Sequence, residues 1–212
     1  LKLNPDFAEA YVNMGSALQD KGELDAAIEN YKKALVINPD LAEAYNNIGL
    51  TLKDKGELKA AIESYRHAIK IKPDVAAVYN NLGVALQNQG ALKAAIESYE
   101  KALKINSGYA EAYYNLGVLF FDQGQYKKAA ERFKLSNLSK SKVSYLSCLY
   151  FQDEQKNFYE QLNYLISEGE NNAIIGSFCS RAKIKYGINR LNPFCSDPLK
   201  YVIEKSILNS CD

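Results

Sequence analysis

Histidine is almost missing from this chain: among 212 residues only His67 is one. No site that needs two histidine ligands can be built from it, the two-His-one-carboxylate iron centre included. A single candidate is left for histidine acid–base chemistry. Cysteine is sparse and one-sided. Cys148, Cys179, Cys195 and Cys211 all fall in the last third, and no two form a C-x-x-C pair. Neither a motif-built zinc site nor a disulfide framework is expected, and free, mostly buried thiols are. Charge of one sign is not in surplus either. Up to residue 140 there are 18 basic and 17 acidic residues, and beyond it 8 of each. A phosphate backbone would demand a basic excess, so no nucleic-acid partner is expected. No apolar run approaches the ~18 residues of a membrane span, and no charged-then-apolar leader opens the chain. The expectation is a protein without a membrane partner, in a cytoplasmic setting. Glycine-rich phosphate loops, paired-carboxylate motifs and nucleophile elbows are also missing, so no catalytic residue, metal or cofactor is assigned.

What the chain does have is a period. Gly15, Gly49, Gly83 and Gly117 are each 34 residues apart, inside related words such as "EAYNNIGLTLKDKGELKAAIESYRHAI" and "AVYNNLGVALQNQGALKAAIESYEKAL". A fixed period of this size means stacked supersecondary units. Small and apolar residues at helical spacing, as in Tyr45, Ile48, Gly49 and Leu52 and then Ala61, Tyr65 and Ala68, predict two amphipathic helices per unit. A mid-helix glycine costs ~1 kcal/mol relative to alanine, so its return in every unit predicts close helix approach, with Gly49 against Ala61. The words "DKGE", "DKGE", "NQGA" and "DQGQ" place a glycine for the left-handed helix end. "NPD" (38–40) and "KPD" (72–74) stop the second helix, leaving Asp40 and Asp74 to cap the next; "NSG" (106–108) does the same job.

These words resemble the tetratricopeptide repeat (TPR), over residues 5 to about 140 and four repeats. The resemblance implies an all-α fold, a right-handed α-solenoid of helix-turn-helix repeats with a helical C-terminal cap. The opening "LKLNPD" matches "LVINPD" (35–40), and no initiating methionine is present. The expectation is that residue 1 lies inside a repeat whose first part precedes this chain. Residues 1–140 are assigned to the array and 141–212 to a degenerate fifth hairpin with C-terminal capping helices. In that second part the in-register glycine is replaced by Phe151, while Phe158, Leu162 and Leu165 share one helix face. Gly169 ends this helix, 171–187 forms another, "INRLNPFCSD" is a loop, and "DPLKYVIEKSIL" a last helix capped by Ser196 or Asp197. Arg181, Lys183, Lys185 and Arg190 are spread round a helix and read as a solvated face.

Candidate binding residues follow the period. Asn13, Asn47, Asn81 and Asn115 recur 34 apart on the first helices, which line the concave face of a TPR array. A column of amides can pair with an extended peptide backbone, or brace neighbouring repeats; both readings stay open. The column resembles the asparagine ladder of TPR superhelices in protein O-GlcNAc transferases, which implies peptide contact. Glu43 lies beside it, in a series with Glu9 and Glu111 that Ala77 breaks; Asn46 and Asn80 add amides, and Lys53 adds charge. In the fourth repeat Tyr114, Val118 and Phe121 either anchor a partner or bury against the C-terminal helices. The chaperone-binding TPR family carries a Lys, Asn, Asn, Lys, Arg clamp, and the matching positions here are Val12, Ser16, Asn47, Ala77 and Asn81. Only Asn47 fits, so no chaperone C-terminal tail is expected as ligand.

The function expected is a non-catalytic scaffold holding a protein or peptide segment on the concave face. The alternative is a partner-positioning arm of a larger enzyme. Residues 170–202 resemble the segment after the TPRs in cyanobacterial proteins that continue into a 2-oxoglutarate/Fe(II) oxygenase domain, and the asparagine column suggests a glycosyltransferase instead.

Overall fold

The computed structural model describes residues 5–168 and 173–186, and these form eleven α-helices with no strand among them. The chain divides into two compact units, 1–119 and 120–212. The first contains α1 (Pro5–Asp20), α2 (Leu24–Ile37), α3 (Ala42–Asp54), α4 (Leu58–Ile71), α5 (Ala76–Asn88), α6 (Leu92–Ile105) and most of α7 (Ala110–Asp122). The second holds the end of α7, then α8 (Tyr126–Leu135), α9 (Ser139–Phe151), α10 (Gln155–Ser167) and α11 (Ala173–Tyr186).

In the first unit each helix from α1 to α5 packs on the next along the chain, and α1–α3 and α3–α5 touch as well. The seam within each pair is built from three columns, Ala27/Ala61/Ala95, Tyr31/Tyr65/Tyr99 and Ala34/Ala68/Ala102, all fully buried. The mid-helix glycines face the tyrosines. A Cβ added to Gly15, Gly49 or Gly83 would lie 2.6, 2.5 and 2.6 Å from a ring carbon of Tyr31, Tyr65 and Tyr99. Gly49 therefore makes room for Tyr65 rather than meeting Ala61. The gap is ring-sized, and a side chain of any size closes it.

The turns inside the pairs end on Gly22, Gly56, Gly90 and Gly124, at φ between 71° and 85°. Gly56 N donates to Lys53 O and Glu57 N to Leu52 O, both at 2.9 Å. That is a Schellman helix end, which needs the left-handed residue glycine adopts at no steric cost. Between pairs, the aspartates do not cap. The N-caps of α3 and α5 are Leu41 and Val75, without a side-chain cap bond. Asp40 and Asp74 stand one residue too early. The oxygen that orders the first of these turns belongs to Asn38, whose Oδ1 accepts Asp40 N at 3.2 Å.

The second unit repeats the hairpin with changed parts. Asp153, at φ 62°, takes the place of the turn glycine, with Glu154 N donating to Leu149 O at 3.1 Å. Asp153 follows Gly124 by 29 residues, not 34. The loss is in α8, ten residues long where α6 has fourteen, and in the loop after it. Counting back from the turn, the position of Gly117 falls on Leu146 rather than Phe151. Leu146 is fully buried, in one cluster with Leu149, Phe158, Leu162, Leu165, Ile175 and Phe178, whereas Phe151 is 48% exposed. Cys148 is a buried free thiol whose pKa burial raises to about 12, and burial raises that of the half-buried, free Cys179 too. Both are poor nucleophiles, because the thiolate is the reactive form. The expectations for Gly169, Gly187, Arg190, Cys195, the 188–197 loop, the last helix and Cys211 fall outside the described residues. No described helix is long and apolar enough to cross a membrane.

Candidate functional site: the amide face of the first helices

The asparagines do more than line up. Asn81 Nδ2 donates to Asn46 Oδ1 at 3.0 Å, and Asn115 Nδ2 donates to Asn80 Oδ1 at 2.9 Å. Each bond joins a column asparagine to the residue beside the column in the preceding repeat. These amides brace neighbouring repeats, and Asn80 is buried in doing so. An amide has two donors and an acceptor, so Asn81 and Asn115 each keep an oxygen and one N–H beyond the bracing bond. Position 12, which would pair with Asn47, holds Val12, and Asn47 instead accepts from Asn46 at 3.3 Å. Asn13 is exposed.

At the first-repeat end, Glu9, Asn13 and Glu43 line a cavity of about 300 Å³ with Ala8, Val12, Asn38 and Leu41. Neither glutamate has an ion-pair partner among the described residues. Lys53 turns to its neighbour, Nζ lying 3.1 Å from Asp54 Oδ1. Tyr114 is half-buried in the first unit. Phe121 belongs to the second, where its ring lies 5.2 Å from that of Tyr126 and 5.6 Å from that of Phe151. His67 is exposed and stacks on Tyr45, rings 5.3 Å apart, with no hydrogen bond or ion pair to an acid or base among the described residues.

A second polar row escaped the sequence reading. Tyr31 Oη donates to Gln19 Oε1 at 3.0 Å and Tyr99 Oη to Gln87 Oε1 at 2.9 Å. Thr51 Oγ1 also donates to Gln19 Oε1, at 2.9 Å, which ties the second repeat to the first. The matching acceptor for Tyr65 would be position 53, where lysine has none to offer. Tyr65 Oη is buried with no partner among the described residues, and burial raises its pKa, as it does that of Tyr99. The signal was in the sequence: Gln19, Lys53 and Gln87 keep the same 34-residue register as the tyrosines.

Tandem helix pairs of one length, a glycine–tyrosine seam and one turn repeated at 34 residues define a helix-turn-helix repeat array, an α-solenoid. The chain belongs to the TPR family, whose repeat model matches residues 15–56, 49–90 and 88–124, together just over half of the chain. Solved structures agree on the fold. The MamA protein is 25% identical, with 88% of this chain and 98% of that one covered and a TM-score of 0.66. Pseudomonas aeruginosa pilF is 24% identical over 84% of each chain, TM-score 0.74. YrrB, described as a TPR protein with an unusual peptide-binding site, is 20% identical over 78% of this chain and 88% of its own, TM-score 0.61. No curated protein sequence matches the chain. The likeness of residues 170–202 to oxygenase-linked proteins is not shown by these comparisons, and only 173–186 of them are described.

Proposed function

We propose that the chain is a protein-interaction scaffold that takes an extended peptide on the face formed by α1, α3, α5 and the first part of α7. The observation that carries this is the pair of amide bonds, Asn81 to Asn46 and Asn115 to Asn80. They fix the orientation of Asn81 and Asn115 and leave each with an oxygen and an N–H for a ligand backbone. Fixed donors and acceptors cost little ordering entropy on binding, which favours a sequence-tolerant backbone grip. Direct contact between α1 and α3 and between α3 and α5 supports reading this side as the concave one of a curved array. YrrB, a protein of the same fold, is described as having a peptide-binding site. Glu9 and Glu43, in the cavity beside Asn13, add negative charge at one end of the groove.

The test separates gripping from bracing. Asn13→Ala/Asn47→Ala removes the two column amides with no bond between repeats. On a peptide array this variant is expected to lose about ten-fold in affinity, the cost of one or two good hydrogen bonds, at unchanged thermal stability. Binding equal to the parent's removes Asn13 and Asn47 from the ligand site and leaves the column only its bracing bonds at Asn81 and Asn115.

A further inference from the structure

A second cavity, of about 260 Å³, lies wholly within the second unit, between the end of α8, the start of α9 and α10. Its lining includes Lys134, Ser136, Lys142, Tyr145, Gln161 and Tyr164. Each lysine lies over a ring, Lys134 Nζ 5.6 Å from the Tyr145 centroid and Lys142 Nζ 5.4 Å from that of Tyr164. An ammonium held over a ring face keeps N–H donors for another partner. Lys134 has no ion pair among the described residues. Lys142 has a distant one, 3.9 Å from Glu168 Oε2.

Two further features point the same way. Ser136, only 4% exposed, accepts the hydroxyl hydrogen of Ser141 at 2.7 Å, and its own hydrogen has no acceptor among the described residues. α9 begins at this cavity, its N-cap Leu138 offering no side-chain cap and its first turn no acid. The surrounding segment is basic: residues 126–146 carry six lysines and arginines against one acid, Glu131. No carboxylate is among the lining residues, whose acceptors are the neutral oxygens of Asn137, Gln161 and the hydroxyls.

We propose that this cavity binds an acidic side chain, aspartate or glutamate, of an extended peptide from a protein partner. The lysines and the Ser136 hydroxyl take the carboxylate, and Tyr145, Tyr164 and Leu138 supply apolar surface for the adjoining chain. Two ammonium ions and a hydroxyl offer point-charge donors to an anionic oxygen, and the phosphoserine arm of the test separates carboxylate from phosphate. The proposal rests on the chain being a peptide binder, but not on the amide face, since none of these residues lies on it.

The experiment uses the 212-residue chain and an array of heptapeptides in matched sets, the central residue being Glu, Gln or phosphoserine. The glutamate members are expected to bind about ten-fold more tightly than their glutamine twins, as for a desolvated charge-assisted contact. Lys134→Ala/Lys142→Ala should abolish that preference while circular dichroism shows an intact helical fold. Glu168→Gln, which frees Lys142, should strengthen it about two-fold. Equal binding of the Glu and Gln twins, or a preference that survives the double variant, would overturn the site. Phosphoserine members that outbind glutamate would overturn the carboxylate assignment. In Asn13→Ala/Asn47→Ala the Glu-over-Gln ratio should persist, so failure on the amide face and failure here remain distinguishable.

Discussion

Tyr31, Tyr65 and Tyr99 hold one position in three successive repeats, yet only the first and last have an acceptor for the hydroxyl. A buried hydroxyl without a partner costs ~1–3 kcal/mol. Lys53→Gln supplies at position 53 the oxygen that Gln19 and Gln87 supply in their repeats. It should raise stability by about 1 kcal/mol in chemical denaturation. Lys53→Ala is the control, since it also removes the Lys53–Asp54 pair but offers no acceptor. If the two variants prove equally stable, the orphan hydroxyl is not the cause. The glycines facing these rings give a second test. Gly83→Ala drives a Cβ to 2.6 Å from Tyr99, whose ring is fully buried and has nowhere to go. The expected cost is about 1–3 kcal/mol. The second unit shows the compensated form, with leucine at both corresponding positions, Leu146 and Leu162, in one buried cluster. In a Tyr99→Leu background the cost of Gly83→Ala should therefore fall below about 1 kcal/mol, a coupling that a double-mutant cycle reads directly.

At the level of helices and turns, the hairpins were legible wherever one short code repeats. Glycine at the turn, tyrosine at the seam and alanine on either side name the contacts by period alone. Legibility ended where the chain changed length. Once α8 is shortened, counting by 34 lands on Phe151, an exposed ring, and misses Leu146, the buried residue. The caps were misread for a local reason, since Asn38 orders the turn that Asp40 was expected to serve. The amide pairs were half legible. Their column was visible, but each bond spans 35 residues, one more than the repeat, so a reading by columns passes over the diagonal. The turn of α9–α10 carries a consequence for pH. Asp153 Oδ1 lies 3.1 Å from Lys185 Nζ, and this ammonium holds the carboxyl below its ordinary pKa. Lys185 also donates to Tyr150 O at 2.7 Å and lies over the Tyr150 ring, tying α11 to this turn. A depressed folded pKa stabilises above the unfolded carboxyl value, and the benefit is lost as pH falls through the folded one. Asp153→Asn, which tolerates the left-handed backbone, should lower the thermal midpoint at neutral pH and match the parent in acid. A midpoint difference that persists unchanged in acid would assign the effect to the turn rather than the ion pair.

Taken unit by unit, the packing follows the sequence. In the first, each helix from α1 to α5 meets the next along the chain, with α1–α3 and α3–α5 as the added contacts, and the second unit gathers α9, α10 and α11 round a cluster of its own. Stability in such an array is close to a sum of repeat terms and nearest-neighbour terms, so damage should spread by adjacency rather than all at once. That arrangement would let the two proposed binding places, the amide face and the basic cavity, keep separate energetics. Amide hydrogen exchange on Gly49→Ala tests the point. The overlap with Tyr65 at 2.5 Å should speed exchange most in α3 and α4, less in α2 and α5, and leave α9 and α10 at the parent's rates. A uniform acceleration over all these helices would mean that the chain opens as one cooperative body, and that binding in either place must be coupled to the other through global stability.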